Sequence, residues 1–385
     1  MEQRMNNDMF VREVLLSTWE LTYEAVILYD NQKFYESSPV GKTLGFKETQ
    51  SGPVFFDLQR SLNLGELSQM AFDAQIVDVS SSQISTAFSL AYLKLLSYCA
   101  WYQSTELSQY LSSFYKKEIS SPKVVSNILN GWKHANNQLS FCEFMIIPLG
   151  DDIEENIKIL SEVYLDLWSN IVNNLGQDLY IGREGGFAPS LSDNKEAIDL
   201  IIQSINRRHK WWCWIAIDVA ANNFSYQKGD EFFYKVDGIT YSSEQMVKYY
   251  IDLIELYPYI LYLEDPFHEE DIRWRRKLYS ILGDKILIVA DDLTITKKKN
   301  IETFHGLFNA CILKLNQAGS FSEFIKSYNF CESNGIKTIV SQRSGETDSN
   351  VISHIAVGLG ADYLKAGAPA RERIIKYNEL LHIID

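Results

Sequence analysis

Several features that mark particular classes of protein are missing from this sequence of 385 residues. Its five cysteines form no Cys-x-x-Cys pair, so neither a zinc ribbon nor a disulfide framework is indicated, and we expect buried thiols. No window reaches the roughly 18 uninterrupted apolar residues that a membrane-spanning helix needs. About the first 30 residues lack the apolar run of a signal peptide, which predicts a cytoplasmic protein that does not contact a membrane.

Basic charge is also scarce, because 36 lysines and arginines face 50 aspartates and glutamates, for a formal net charge of −14. Nucleic acid is therefore not an expected partner, since phosphate backbones are bound by basic surfaces. Hydrophobic residues make up 46% of the chain, enough for a large core. No Gly/Ser-rich linker or repeat divides the sequence, whose length predicts two to three domains, or one large barrel with an accessory unit.

The first part of the chain, residues 1–118, predicts an α+β domain. Residues 9–35 are rich in β-branched and aromatic residues that alternate around a polar turn, which predicts a β-hairpin or meander. Residues 81–114 place apolar side chains at helical spacing, which predicts a long helix followed by a shorter one.

Residues 119–385 predict a second domain, of the α/β class, because short apolar runs alternate with amphipathic stretches. A polar residue ends or follows each run, at Asp218, Glu264, Asp291, Lys314, Gln342 and Lys365. Most of these positions are about 23 to 28 residues apart, which suits one strand, one helix and two loops, whereas the interval from Asp218 to Glu264 must contain additional structure. The pattern predicts a TIM-type (β/α)8 barrel with its active site at the carboxyl ends of the strands.

The three acidic residues of this series, Asp218, Glu264 and Asp291, indicate a metal site. Taken singly, each could be a surface acid that caps a helix. Three anions at one mouth need a cation, and carboxylate oxygens without histidine or cysteine favour Mg²⁺, or Mn²⁺ in its place.

The two lysines of the series, Lys314 and Lys365, indicate a general base at the same mouth. A divalent cation and a second ammonium group both favour the neutral form of a lysine and lower its pKa. Metal ions on a substrate carboxylate stabilise the enediolate that forms when a proton leaves the neighbouring carbon. The residues therefore predict proton abstraction from carbon next to a carboxylate.

Nine stretches of the chain, taken in order, resemble the enolase family. They are NILNGWKHA, EFMIIPLG, REGGFAPSLSDNKEAI, IDVAANNF, LEDPF, ADDLTIT, ILKLNQAGS, SQRSGETDSN and LKAGAPARER. The resemblance implies a barrel of the enolase kind with an N-terminal α+β capping domain. It also implies a carbon–oxygen lyase (hydro-lyase), similar to phosphopyruvate hydratase, that reversibly removes water from 2-phosphoglycerate to give phosphoenolpyruvate in glycolysis.

The resemblance assigns chemical roles by motif. The three acids named above would hold the first Mg²⁺, and Lys314 would remove the C2 proton of the substrate. Glu184 in REGGFAP would protonate the departing hydroxyl, supported by Glu143, a carboxyl neighbour that can raise its pKa.

The resemblance also assigns substrate contacts for a small anionic phosphate or phosphonate carboxylate. Lys365 would bind the carboxylate, Arg343 and Ser344 would bind the phosphate, and His134 would lie on a closing loop. Thr43 falls in a stretch similar to the family's lid loop and keeps a hydroxyl. It would help to bind a second Mg²⁺, bridged by the substrate, so two Mg²⁺ ions per site are expected.

Several positions depart from the family pattern. Gln342 replaces a histidine and stays a candidate substrate-binding residue, although an amide cannot titrate. Arg183 replaces an aspartate and, if it lay close to Glu184, would favour the ionised acid, unless the two adjacent side chains point apart. Lys42 stands where the lid has a small residue, and LSTWELT replaces a loop that contributes to dimer contacts in the family, so a homodimer is left open.

Three functions stay open on the sequence. The first is ordinary enolase activity, and the second is that of a specialised paralogue in phosphonate biosynthesis, similar to carboxyphosphonoenolpyruvate synthases. The third is a catalytically silent enolase-like binding protein, against which the intact acids and lysines argue. A muconate-lactonising type of enzyme is disfavoured because such enzymes lack the GGFAP and SGET stretches.

Overall fold

A small sheet with two helices and a large barrel make up the described part of the chain. The computed structural model describes residues 3–6, 9–16, 20–29, 32–41, 83–102, 105–132, 135, 137–208 and 212–384. Within these ranges, no helix has the length and apolar character needed to cross a membrane.

The N-terminal unit is an antiparallel four-stranded sheet covered by a long helix. Its strands follow the chain order and are β1 (Gln3–Asn6), β2 (Met9–Leu15), β3 (Leu21–Tyr29) and β4 (Gln32–Ser37), followed by α1 (Gln83–Tyr102) and α2 (Leu107–Tyr115). Alternation along β3 and β4 directs Ala25, Ile27 and Phe34 towards α1, where they pack against Ala87 and Leu95. The predicted meander and the predicted pair of helices are both confirmed.

Eight strands close into a barrel. The strands are β5 (Lys123–Asn130), β6 (Glu143–Pro148), β7 (Cys213–Asp218), β11 (Ile260–Glu264), β12 (Leu287–Ala290), β13 (Ala310–Leu313), β14 (Lys337–Ser341) and β15 (Tyr363–Lys365). Their order around the barrel is β11-β12-β13-β14-β15-β5-β6-β7. They are buried on both faces, because alternate side chains fill the barrel interior or pack against the surrounding helices. The predicted barrel with an N-terminal α+β unit is confirmed.

Helices cover the outside of the barrel. They are α3 (Ile153–Ser169), α4 (Asn194–Arg208), α5 (Ser243–Leu256), α6 (Ile272–Leu282), α7 (Lys298–Thr303), α8 (Leu315–Ala318), α9 (Phe321–Ser333), α10 (Val351–Leu359) and α11 (Ile374–Ile384). The long interval between β7 and β11 contains the expected additional structure. It is an antiparallel sheet of β8 (Ser225–Lys228), β9 (Glu231–Val236) and β10 (Ile239–Ser242).

One barrel strand departs from the expected parallel alternation. Strand β6 pairs antiparallel with both of its neighbours, β5 and β7, while the other seven strands run parallel to one another. Residues 131–142, which join β5 to β6, are about as few as the shortest parallel crossover needs, so the chain returns beside β5 in the opposite direction. The start of β6 therefore lies at the same mouth as the carboxyl ends of the other strands.

The cysteines behave as small buried hydrophobic residues. Four thiols are free and buried, at Cys142, Cys213, Cys311 and Cys331. This confirms the expectation for those four, while the side chain of Cys99 lies outside the described part of the chain.

Candidate active site

Strand alternation explains why the predicted site residues share one mouth. Five of them lie two positions beyond a residue of the apolar cluster that fills the barrel interior, so their side chains point the same way. The pairs, interior residue first, are Ala216 with Asp218, Tyr262 with Glu264, Val289 with Asp291, Ile312 with Lys314, and Tyr363 with Lys365. On reversed β6 the order is inverted, and Glu143 lies two positions before the interior residue Met145.

Strand register brings three acids side by side. Glu264 is the Cα partner of Asp218 across the β11–β7 pair, and Asp218 is in turn the partner of Glu143 across the β7–β6 pair. All three carboxyl groups are buried. Burial and the neighbouring Glu264 raise the pKa of Asp218 well above its usual range, although Lys365 opposes this shift.

Lys365 lies among these acids. Its Nζ is 3.1 Å from Glu143 Oε2, 3.4 Å from Asp218 Oδ2, and 3.0 and 2.9 Å from the two carboxylate oxygens of Glu264. Burial alone would lower the pKa of Lys365, but the three carboxylates outweigh it and raise that pKa well above its usual range. Lys365 is therefore a buried ammonium that neutralises much of the negative charge.

Lys314 forms a second buried ion pair, with Asp291 Oδ2. Gln317 Nε2 also donates to Asp291, at 3.3 Å from Oδ1. Burial raises the pKa of Asp291, but the ammonium groups of Lys314 and Lys365 outweigh burial and hold that pKa below its usual range.

The pKa of Lys314 depends on the charges that lie beside it. The sequence predicts a lowered pKa for Lys314 beside a bound divalent cation and a second ammonium group. In the structure, burial does lower the pKa of Lys314, but the contact with Asp291 outweighs burial together with the charges of Arg343 and Lys365, and the net shift is upward. In this arrangement Lys314 is an ammonium.

Glu184 lies on a loop between α3 and α4, not on a strand. Short backbone bridges pair Phe187 with Leu129 and with Ile181 and hold this loop against the barrel. One oxygen of Glu184, Oε2, accepts hydrogen bonds from Gln342 Nε2 at 2.9 Å and from Asn127 Nδ2 at 3.3 Å.

Glu143 and Glu184 interact electrostatically. Burial and the neighbouring Glu184 raise the pKa of Glu143 to about 8, although Lys365 lowers it. The role predicted for Glu143, which is to raise the pKa of Glu184, stays a prediction.

Arg343 and Ser344 follow β14 at the same mouth and are almost fully buried. The Arg343 Nη1 group donates to Asn316 Oδ1 at 2.9 Å, and the Arg343 backbone N–H donates to Glu346 Oε2 at 3.2 Å. Buried Arg373 donates to the carbonyl oxygens of Arg343 and Ser344, at 3.3 and 3.0 Å. Arg373 thus holds the backbone of the loop that carries both predicted phosphate-binding residues.

Residues 118–385 match the protein-family model described as "Enolase, C-terminal TIM barrel domain". The chain belongs to the enolase family. It is 34% identical to the enolase of Ehrlichia ruminantium (strain Gardel) over a 397-residue alignment that covers 98% of this chain and 90% of that protein. With the enolase of Methanococcus aeolicus the identity is 38% over 335 residues, covering 85% of this chain and 73% of that protein.

The acids of this enolase-family barrel suit Mg²⁺ by donor type, because Asp218, Glu264 and Asp291 present buried carboxylates and no histidine or cysteine. Each of these acids is in contact with a lysine: Lys365 pairs with Asp218 and Glu264, and Lys314 pairs with Asp291. Among the residues that the structure describes, no group of three or more histidine, cysteine, aspartate or glutamate side chains is gathered closely enough to hold a metal ion. The assignment of these acids as Mg²⁺ ligands stays a prediction.

Arg183 does not interfere with Glu184 in this enolase-family member. Its Nη1 lies 3.6 Å from Oε2 of Glu20, in the stretch just before β3. The two adjacent side chains therefore diverge, and Arg183 connects the acid-bearing loop to the N-terminal unit.

Three positions singled out in the sequence lie outside the described residues, namely Lys42, Thr43 and His134. Conversely, the amides of Asn127, Asn316 and Gln317 contact site residues, and the sequence analysis assigned no role to these three residues. A signal was available for two of them, because Asn316 and Gln317 lie two and three positions after Lys314, the lysine that follows β13.

Proposed function

We propose that this enolase-family protein is a Mg²⁺-dependent hydro-lyase that removes water from 2-phosphoglycerate or a close analogue. The observation that carries the proposal is the buried set of two lysines and four carboxylates at one barrel mouth, with Arg343 beside them. Relatives that are named enolase, at 33–38% identity over most of the chain, support the same reaction class.

In the proposed reaction, Nζ of Lys314 takes the proton from C2 of the substrate. The electron pair of that C–H bond forms the C2–C3 double bond, and the C3 hydroxyl leaves as water with a proton from Glu184. Mg²⁺ held by Asp218, Glu264 and Asp291 would supply Lewis-acid stabilisation of the enediolate. Lys314 must be neutral to act, so its contact with Asp291 has to be weakened before the proton is transferred.

The remaining residues bind and orient the substrate. Arg343 offers a planar guanidinium for phosphate oxygens, and the Ser344 hydroxyl lies on the same loop. Lys365 would meet the substrate carboxylate. Binding the charged groups at both ends of a small substrate would place its C2 hydrogen towards Lys314.

The test is an assay of the enol product by ultraviolet absorbance, with and without added Mg²⁺. We expect Mg²⁺-dependent turnover of 2-phosphoglycerate or an analogue, and a loss of about 10³-fold in kcat for Lys314→Ala. Lys326→Ala is the matched control, because that lysine pairs with Glu323 on the surface. Equal rates for the Lys314→Ala variant and the unchanged protein would overturn the proposal.

Gln342 favours a second candidate within the same class, a paralogue that acts on a phosphonate analogue. Its Nε2 donates to Glu184, while its buried Oε1 has no hydrogen-bond partner among the described residues. That acceptor suits a donor group on a modified substrate. Turnover of 2-phosphoglycerate that equals or exceeds that of every phosphonate tested would exclude this candidate.

A catalytically silent enolase-like binding protein is the remaining alternative. It predicts that Mg²⁺ leaves the melting temperature unchanged and that no phosphoglycerate-like acid exchanges its C2 hydrogen with deuterium from solvent. The buried set of lysines and acids argues for catalysis. Burying so many charges lowers the stability of the fold, and a protein that only binds a ligand has no need of them. The second Mg²⁺ at Thr43, a homodimer and the domain division at residue 118 stay predictions.

A further inference from the structure

The phosphate-binding Arg343 of the proposed site is held by an amide that has no assigned role. Asn316 lies in α8, two residues after Lys314, and its Oδ1 accepts from Arg343 Nη1 at 2.9 Å. On its other side, Asn316 Nδ2 donates to the carbonyl oxygen of Pro39 at 3.3 Å. The amide therefore connects the barrel mouth with the N-terminal unit.

The orientation of this amide follows from the chemistry of its partners. A guanidinium can only donate hydrogen bonds, so it must face the amide oxygen. A backbone carbonyl can only accept them, so Pro39 must face the amide nitrogen. Both halves of Asn316 are thus engaged in one orientation, and a rotation by 180° would break both hydrogen bonds.

The segment that begins at Pro39 is attached to the Arg343 loop by its backbone as well. The Val40 N–H donates to Gly345 O at 2.8 Å, and the Gly345 N–H donates to Val40 O at 2.7 Å. These bonds place Gly41 directly against the guanidinium. A Cβ atom built on Gly41 would lie 1.7 Å from Arg343 Nη2, so any side chain at that position would displace the guanidinium.

We propose that Asn316 is a positioning residue for an anion site at Arg343, and that residues 39–41 complete the site by docking on Asn316 and Arg343. The anion is a tetrahedral phosphate or phosphonate group, and the inference rests on the proposed function for that choice. Asn316 fixes Nη1, and the bare backbone at Gly41 leaves space for Nη2. An arginine held in this way loses little side-chain entropy when it binds an anion.

The test measures binding of inorganic phosphate by calorimetry at fixed ionic strength, which requires no lyase activity. We expect Asn316→Ala to weaken phosphate binding roughly tenfold, as the loss of a hydrogen bond to a charged group predicts. Gly41→Ala should weaken it to a similar degree. The backbone of Gly41 lies outside the left-handed region, so its conflict with Arg343 is the main consequence of the added methyl group.

Two further comparisons separate positioning from a general structural role. In an Arg343→Lys background, which lacks the planar fork, Asn316→Ala should cause almost no additional loss of phosphate affinity. Asn309→Ala is the matched control, because Asn309 makes its hydrogen bonds to backbone groups around the start of β12 and should change stability but not phosphate affinity. With substrate, Asn316→Ala should raise KM more than it lowers kcat.

The outcomes are distinct from those of the proposed function. Phosphate binding that depends on Arg343 and Asn316, without turnover of any substrate, would support the inference and count against the lyase. Turnover with an unchanged phosphate affinity in Asn316→Ala, or additive losses in the Arg343→Lys background, would overturn the inference. Phosphate binding that does not depend on Arg343 would overturn it as well.

Discussion

Glu143, the first residue of β6, lies directly across the sheet from Asp218, the last residue of β7. This register exists because β6 runs antiparallel to its neighbours, so its amino end meets their carboxyl ends. Reversing one strand of the barrel thereby adds a fourth carboxyl group to the mouth. It also places Glu143 within 3.1 Å of the Lys365 ammonium.

The first prediction concerns Glu143→Gln and the pH dependence of stability. The pKa of Glu143 is raised to about 8 by burial and by Glu184, so the folded protein keeps a proton that the unfolded chain has lost above about pH 5. The unfolded state then binds fewer protons, and stability falls as the pH rises from about 5 to 8. Glutamine resembles the protonated acid, so the variant should be close to the unchanged protein in stability near pH 5 and exceed it by up to about 4 kcal/mol at pH 8.

Thermal melts at pH 5, 6.5 and 8 without added metal ions measure this effect. The expected gain in Tm is small at pH 5, intermediate at pH 6.5 and a few degrees at pH 8. Glu323→Gln serves as the control, because Glu323 is exposed and pairs with Lys326 on the surface. A Tm difference of the same size at all three pH values would contradict the assigned cause.

The second prediction concerns Mg²⁺ and the three barrel acids. If these carboxylates bind Mg²⁺ only when the protein is folded, millimolar Mg²⁺ should raise Tm. A free Mg²⁺ concentration of 100 times Kd stabilises the folded state by about 2.7 kcal/mol. NaCl at matched ionic strength should not produce the same rise. The Asp291→Asn variant should lose most of the Mg²⁺-induced rise in Tm.

Asp362→Asn provides the matched aspartate control. Asp362 accepts hydrogen bonds from Thr338 at the opposite end of the barrel, beside the start of β15, so its replacement should lower Tm without changing the Mg²⁺-induced rise. An equal Mg²⁺ response in Asp291→Asn and Asp362→Asn would exclude Asp291 as a ligand.

The strand pattern of the sequence located five of the charged site residues, and alternation within the strands explains why. A side chain that lies an even number of positions beyond an interior residue of a strand shares the direction of that residue, as Lys314 does with Ile312. Glu143 could not be found by this rule because it begins a reversed strand, and Glu184 could not because it lies on a loop. For both, the resemblance to a family supplied what the strand pattern could not.

The contacts of neutral side chains were harder to predict. Asn316 acquires its role from Pro39, 277 positions away in the sequence, and no periodicity connects the two. Likewise, the sequence predicts the β8–β10 sheet only as additional structure in the long interval between Asp218 and Glu264. Local patterns specify which residues point inward, whereas partners that meet across the fold depend on how its two units dock.

The third prediction concerns Gln342→His and substrate choice. The Gln342 amide donates to Glu184 at 2.9 Å and stays neutral at every pH, whereas an imidazole in its place titrates near neutrality. If Gln342 selects the substrate, the histidine variant should raise the ratio of kcat/KM for 2-phosphoglycerate over a phosphonate analogue about tenfold. Gln245→His is the control, because Gln245 is exposed and forms hydrogen bonds with Ser242 at the start of α5. An unchanged ratio would remove Gln342 as the cause of selectivity.

The fourth prediction concerns the junction of α10 and α11, where His354 Nε2 lies 2.7 Å from Glu379 Oε1. Burial raises the pKa of Glu379, but hydrogen bonds from His354 and Asn350 outweigh burial and hold that pKa below its usual range. A lowered folded-state pKa contributes stability above the unfolded value of 4.5, and that contribution is lost as the pH falls through the folded value. Glu379→Gln should therefore lower stability by about 1 kcal/mol at pH 6 and by progressively less towards pH 3.

Chemical denaturation at pH 6, 4.5 and 3 gives the free energies of unfolding that this prediction needs. Glu332→Gln is the matched control, since Glu332 is half exposed and its ion pair with Lys117 lies at the surface, where such pairs contribute little. The difference between the two variants should be largest at pH 6 and close to zero at pH 3. A Glu379→Gln effect that grows on acidification would mean that the carboxyl is held protonated, and the assigned direction of its pKa shift would then be wrong.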